Sequence, residues 1–153
     1  EGEHSKEAEH YPYLLVSPHP RFTFHTHYDK HSSWLDDIPL HRVKIDGNAW
    51  WPVRIHPLDA EKKGIKDGDI VKLFNDRGTV LCEAVITLRI HPGVIHSYAS
   101  SDSNEPIDQG NAEYPDRGGC VHLLTSSRMM SKNVAGIAPN SCMIDIAKWE
   151  GEM

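Results

Sequence analysis

Between Trp51 and Tyr98 the chain is cut by turn-forming residues every few positions, and the pieces between the cuts are short and apolar. That pattern excludes a helical bundle, whose helices need longer uninterrupted stretches, and favours many short strands. Trp51–His56 reads as a strand. Pro57-Leu-Asp-Ala-Glu-Lys-Lys-Gly64 follows, with proline at its first position, acid in the first turn, lysines in the last and glycine as the stop. This is a short helix with both ends marked. Lys66-Asp-Gly-Asp69 turns the chain into a strand over Ile70–Phe74, and Asn75-Asp-Arg-Gly78 makes a hairpin. A long strand is expected next. Val80, Cys82, Ala84, Ile86, Leu88 and Ile90 fall on one face, with Thr79, Glu83, Thr87 and Arg89 on the other. His91-Pro-Gly93 turns into a further strand, Val94–Tyr98. Tyr11–Ser17, stopped by Pro18 and Pro20, and Ser141–Ala147 add strands near the two ends. A short helical segment is expected at Ser33–Ile38, inside a long polar stretch. Strands in this number with one or two short helices imply a mainly β domain, a closed or partly closed barrel.

The 153 residues suit one domain. Residues 1–10 read as a tail or linker, 11–149 as the domain and 150–153 as a tail. A polar start at Glu1 suggests a piece of a longer chain. The formal net charge of −6 argues against a nucleic-acid partner, which would require a basic stripe. No apolar run is long enough for a membrane span, and no signal peptide is visible. Cys82, Cys120 and Cys142 are far apart, so local spacing builds neither a zinc nor an iron–sulfur site. Their sparse, odd count fits a reducing, cytoplasmic setting.

The 11 histidines are the unusual feature of the composition. His25 and His27 would share one face of a strand and could begin a metal site. Such a site also needs a carboxylate and a further histidine, and the candidates His31 and His41 carry no matching glutamate. Alternatively, Ser17, His19, Arg21, His25 and Thr26 form a proline-stiffened loop whose donors suit phosphates and heterocycle edges. Asp67-Gly-Asp69 lacks the further acids of a calcium loop. No phosphate-cradling glycine loop or nucleophile motif is present.

Three segments in order carry a resemblance. They are Ser-Pro-His-Pro-Arg-Phe-x-x-His-Thr (17–26), the block Pro57–Gly78, and Gly-Gly-Cys-Val-His-Leu-Leu-Thr (118–125). Together they resemble the C-terminal dinucleotide-binding domain of the dimethyl sulfoxide reductase family. The resemblance implies a double-psi β-barrel (aspartate-decarboxylase-like) closing over bis(molybdopterin guanine dinucleotide) with molybdenum or tungsten. It places Ser17, His19, Arg21, His25, Thr26 and His27 along the cofactor edge, with His122, Thr125, Asn140 and Ser141 as later contacts. His122 stands where the family carries asparagine. Asp59, Asn75 and Gly78 match positions with a structural role. Within the family, His25–Lys30, Trp34–Pro39 and Arg128–Cys142 look most like the large subunits of pyrogallol–phloroglucinol transhydroxylases, which move a hydroxyl between polyhydroxybenzenes. Arsenate reductases share much of the first motif. The resemblance implies as partners the other domains of a large subunit and an iron–sulfur small subunit. Catalytic residues and metal ligands would lie in those other domains, so none is assigned here. Two rival classes remain on sequence grounds: a stand-alone barrel acting as a protein-binding adaptor, and a small histidine-dependent metalloenzyme.

Overall fold

A computed structural model describes residues 3–23, 33–39, 41–45, 47–99, 101, 104–108, 114–127, 129–137 and 142–151. Six strands close into a barrel: β1 (Tyr13–Val16), β4 (Pro52–Ile55), β5 (Ile70–Asn75), β6 (Gly78–Ile86), β7 (Val94–Ser97) and β10 (Cys142–Lys148), in the order β1-β10-β5-β6-β4-β7. β1 runs parallel to β7 and β4 parallel to β6, while the other neighbours are antiparallel. Exchanging β1 with β6, β4 with β7 and β5 with β10 reproduces every neighbour pair, parallel pairs included. Two interlocked halves thus wind in the same way, and the fold is a double-psi β-barrel.

Period-two alternation fills the interior. Leu15, Val53, Ile55, Val71, Leu73, Val80, Cys82, Ala84, Ile95, Ile144 and Ile146 are fully buried in one core. A closed barrel leaves no unpaired strand edge, so these short strands satisfy one another's backbone groups. The helix read from its punctuation is α3 (Pro57–Lys63). His56 Nδ1 accepts from the Leu58 N–H at 3.1 Å at its start, and Gly64 ends it at φ 65°. Buried Asp59 accepts from the Gly93 N–H at 2.6 Å and so ties α3 to the turn before β7. α2 (Ser33–Asp36) lies where a helical segment was expected.

The structure departs from the sequence reading in three places. Residues 1–10, read as a tail, include a helix, α1 (Glu3–His10); Glu7 pairs with Arg77 at 3.3 Å. Two hairpins lie where no strand was expected: β2 (Val43–Ile45) with β3 (Asn48–Trp50), in or beside the long polar stretch, and β8 (Met129–Ser131) with β9 (Val134–Ile137). The long strand stops at Ile86 rather than Ile90. Thr87 Oγ1 accepts from the Arg89 N–H and bends the chain, leaving Leu88 80% exposed.

Both faces of β6 are covered, which strands Glu83. It lies on the outer face, 5% exposed, and its Oε2 has no hydrogen-bond partner among the described residues. Burial first, and then the Asp67 charge, push its carboxyl up to about 7. A raised acid pKa means that its contribution to stability is full below the ordinary carboxylate range and is lost as pH rises through about 7. Glu83→Gln should therefore gain melting temperature over the parent chain between about pH 5 and about pH 8. The expected gain is a few degrees, since roughly 1 kcal/mol corresponds to about 2–4 °C at this size. Paired thermal melts across that range test it. A difference that does not vary with pH would refute a buried, titrating Glu83.

Candidate functional site

Strand directions give the barrel two unlike ends. β1, β5 and β7 finish at one rim, and β4, β6 and β10 start there. This rim therefore receives Ser17 and the loop after it, the Asn75–Gly78 hairpin, Trp51 and Tyr98. The opposite rim carries α3, the Lys66–Asp69 turn and the turn before β7. It is closed by side chain-to-backbone bonds such as Asp67 Oδ1 accepting from the Ile86 N–H at 2.7 Å.

Trp51 organises the first rim. It is fully buried, and its Nε1–H donates to the Tyr98 carbonyl at 2.7 Å. The buried Arg42 guanidinium lies over its ring at 4.7 Å, and the edge of His41 meets it at 5.7 Å. Arg42 also donates to the Ala49 carbonyl at 3.1 Å, which pins the β2–β3 hairpin beside the barrel mouth. On its other side Trp51 touches Gly119. That glycine has φ 83°, and a Cβ there would fall 2.2 Å from the Trp51 Cβ. The Gly118-Gly119 pair is thus a place where backbone must approach a core side chain.

Asp116, 1% exposed, shapes the loop that delivers Gly119. Its carboxylate accepts from the N–H groups of Glu105 at 2.5 Å, Gly118 at 3.2 Å and Cys120 at 2.8 Å. Beyond it, a 3-10 helix over Val121–Leu124 sits on the hairpin. The Leu124 carbonyl accepts from Asn75 Nδ2 at 2.9 Å and Arg77 Nε at 2.8 Å, and a Cβ on Gly78 would lie 3.6 Å from the Leu123 carbonyl. Asn75 Nδ2 also donates to the Met143 carbonyl at 3.1 Å. Asn75 and Gly78 therefore hold the frame, as Asp59 does at the other end.

Five of the residues expected at a ligand edge are described. Ser17 follows β1 directly and is half-buried, while His19 and Arg21 are exposed in the loop beyond. The Ala99 N–H donates to the Pro18 carbonyl at 2.9 Å, fastening that loop to the end of β7. His122 is exposed on the 3-10 helix, and the Thr125 hydroxyl donates to the His122 carbonyl at 2.9 Å. The rim brings these two groups to the same end of the barrel. His25, Thr26, His27, Asn140 and Ser141 lie outside the described residues; β10, which follows the last two, begins on this rim at Cys142.

Beside the loop lies a cavity of about 220 Å³, walled in part by Pro20, Arg21, Phe22, His41, Arg54 and Tyr98. Arg54 and Tyr98 are not among the residues the sequence reading singled out, and His41 was weighed there only as a metal-ligand candidate. A signal was present: Arg54 interrupts the apolar Val53–Ile55 and His96 sits between buried Ile95 and Ser97, both pointing away from the core. Among the described residues no group of three or more His, Cys, Asp or Glu side chains is placed to hold a metal ion. No described helix is long and apolar enough to cross a membrane.

Comparison with known proteins gives a consistent answer. The family model described as Molydopterin (molybdopterin) dinucleotide binding domain matches residues 13–143. The chain is 42% identical over 149 residues to the pyrogallol hydroxytransferase large subunit of Pelobacter acidigallici, covering 97% of this chain and 17% of that relative. It is 40% identical over 147 residues to trimethylamine-N-oxide reductase of Haemophilus influenzae, covering 94% of this chain and 16% of that protein. The solved structure of acetylene hydratase from Pelobacter acetylenicus superposes with a TM-score of 0.67 at 15% identity over 97% of this chain and 20% of that one, a likeness of fold. This chain thus spans about a sixth of the length of the curated relatives it matches.

Gly119→Ala should disrupt the rim. Left-handed strain and the clash with Trp51 together cost about 2–5 kcal/mol. Gly64→Ala has comparable backbone strain but meets nothing within 4 Å, so about 1 kcal/mol is expected there. Denaturant melts of both variants measure the contrast. Equal losses would show that the Trp51–Gly119 contact does not constrain the rim.

Proposed function

This chain belongs to the family of molybdopterin dinucleotide binding domains, and on that premise we propose that it binds and covers one side of a bis(molybdopterin guanine dinucleotide) cofactor carrying molybdenum or tungsten. The parent enzyme is of the dimethyl sulfoxide reductase family and transfers a hydroxyl between polyhydroxybenzenes. The observation that carries the reading is the convergence at one barrel rim of Ser17–Arg21 and the 118–125 segment, which belong to two of the three segments resembling the family, with the start of β10. The Pelobacter acidigallici relative, named as a pyrogallol hydroxytransferase, supports the choice of reaction.

The residues at the rim fit such a group in part. Guanidinium, imidazole, hydroxyl and glycine backbone groups supply donors for phosphate oxygens and heterocycle edges. The cavity's volume of about 220 Å³ is small beside the roughly 300–1,000 Å³ of sites that enclose a drug-sized ligand. This domain then provides one wall, and other domains of the large subunit provide the rest. When bound, the cofactor supplies the redox-active metal and its dithiolene ligands. This chain's own residues bind, orient and shield it. Ser17, His19, Arg21, His25, Thr26 and His27 would follow its edge, with His122, Thr125, Asn140 and Ser141 as later contacts. An iron–sulfur small subunit would be a further partner. A cytoplasmic location agrees with three free cysteines, whose thiols burial pushes up and so makes unreactive.

In the full-length protein, His25→Ala should lower bound metal and activity together. Leaving a buried cofactor group unpaired costs about 1–3 kcal/mol, or roughly five- to 150-fold in retention. The melting temperature of the 153-residue chain should stay unchanged. Metal per chain, specific activity and a melting curve are the three readings. Full metal occupancy with unaltered activity would remove His25 from the cofactor edge.

A further inference from the structure

We propose that helix α1 is a strap that sets the position of the Val121–Leu124 3-10 helix, with Arg77 as the link between them. The inference concerns how the rim is held and not what it binds, so it stands or falls without any ligand. One guanidinium serves both elements. Arg77 Nη1 donates to Glu7 Oε1 of α1 at 3.3 Å, and its Nε donates to the Leu124 carbonyl at 2.8 Å. The planar group fixes these two N–H directions relative to each other, so a shift of Glu7 turns the group that holds Leu124. Two further donors to that carbonyl, Asn75 Nδ2 at 2.9 Å and the Cys142 thiol at 3.1 Å, belong to barrel strands. Of the three, Arg77 is the one that also pairs with a helix outside the barrel.

The strap is built for release. A helix of 8 residues is not stable in water by itself, so α1 keeps its form only while docked. Its docking rests, among the described side chains, on polar contacts. Of residues 7–10 only Glu7 is half-buried; Ala8, Glu9 and His10 are exposed. Just beyond the helix, the Tyr11 hydroxyl donates to Asp76 Oδ1 on the same hairpin, and that bond is the first cause of a raised Tyr11 pKa. An element held by a few partly exposed polar bonds opens at low cost in free energy. The hairpin, by contrast, is fixed. The Arg77 N–H donates to Asn75 Oδ1 at 2.9 Å, and buried Asn75 is anchored to the Leu124 and Met143 carbonyls. A two-state element, α1 docked or released, thus meets a fixed relay, which is what coupling between separate segments requires. Such coupling is reciprocal, so whatever moves the 3-10 helix also shifts the docked population of α1.

Amide hydrogen exchange of the 153-residue chain, read by two-dimensional NMR, tests the link. The amides of Leu123 and Thr125 are the reporters, since they donate to the Cys120 and His122 carbonyls within the 3-10 helix. Glu7→Ala should speed their exchange about two- to fivefold, the reach of an exposed ion pair. Glu9→Ala, at an exposed position on the same helix, should change nothing. Alanine is the best helix former, so neither variant weakens α1 through propensity. Ile65 and Ile86 at the opposite rim should not respond. In an Arg77→Lys background, whose single ammonium cannot reproduce the fork to both partners, Glu7→Ala should have no further effect on Leu123 and Thr125. That non-additivity marks a relay through Arg77, and two independent losses of stability lack it. Glu7 and Glu9 lie outside the barrel, so the first comparison does not depend on how Arg77→Lys folds. Unchanged exchange at Leu123 and Thr125 in Glu7→Ala, equal acceleration at Ile65 and Ile86, or an undiminished effect in the Arg77→Lys background would overturn the proposal.

Discussion

The contact on which the functional end depends is that of Trp51 with Gly119. An indole that belongs to the core reaches the barrel mouth, and the only backbone able to lie against it is one with no Cβ and a positive φ. Around that indole the chain gathers Tyr98 through its carbonyl, Arg42 over the ring and His41 at its edge. Asp116 then decides how the Gly118–Cys120 backbone approaches, by accepting three of its neighbours' N–H groups. Packing in the core and the shape of the rim are therefore not separate features. A change in the indole's position would move the loop after β7, the hairpin of β2 and β3, and the segment leading to the 3-10 helix together.

The two ends of the barrel differ in how their polar groups are used. At the end bearing α3, carboxylates are spent on the fold: Asp59 on the Gly93 N–H, Asp67 on the Ile86 N–H and Asp69 on the Lys66 N–H at 2.8 Å. Around the cavity at the other end, the described lining residues are two arginines, a histidine, two aromatic residues and two prolines. Cationic groups around that cavity suit a domain that would cover an anionic dinucleotide, and the arrangement is local. It arises in a chain whose overall charge is negative, so it comes from placement rather than from composition.

Much of the barrel was legible because its signals are local. Alternation in Val80–Ala84 gave the core face of β6, and proline, acid, lysine and glycine in order gave α3 to the residue. One miss is a local side-chain bond, and the others are non-local. Apolar alternation runs on past Ile86, yet Thr87 turns the chain, so Leu88 belongs to no strand. α1 looks like a charged tail until Glu7 meets Arg77 and Tyr11 meets Asp76, partners far along the chain. The Ser17–Arg21 loop could be marked from its donors, whereas Arg54 and Tyr98 join it only because β4 and β7 are neighbours and antiparallel. No spacing in the sequence encodes that meeting.

The central claim is that the rim receiving Ser17, Tyr98 and Gly119 is the face that meets the cofactor. Amide hydrogen exchange in the full-length protein, with and without its cofactor, measures this directly. The account predicts slowed exchange at residues 17–23 and 118–125 on cofactor binding, with residues 64–69 and 86–93 at the opposite rim unchanged. Protection confined to the opposite rim, or equal exchange at both ends in the two forms, would contradict it.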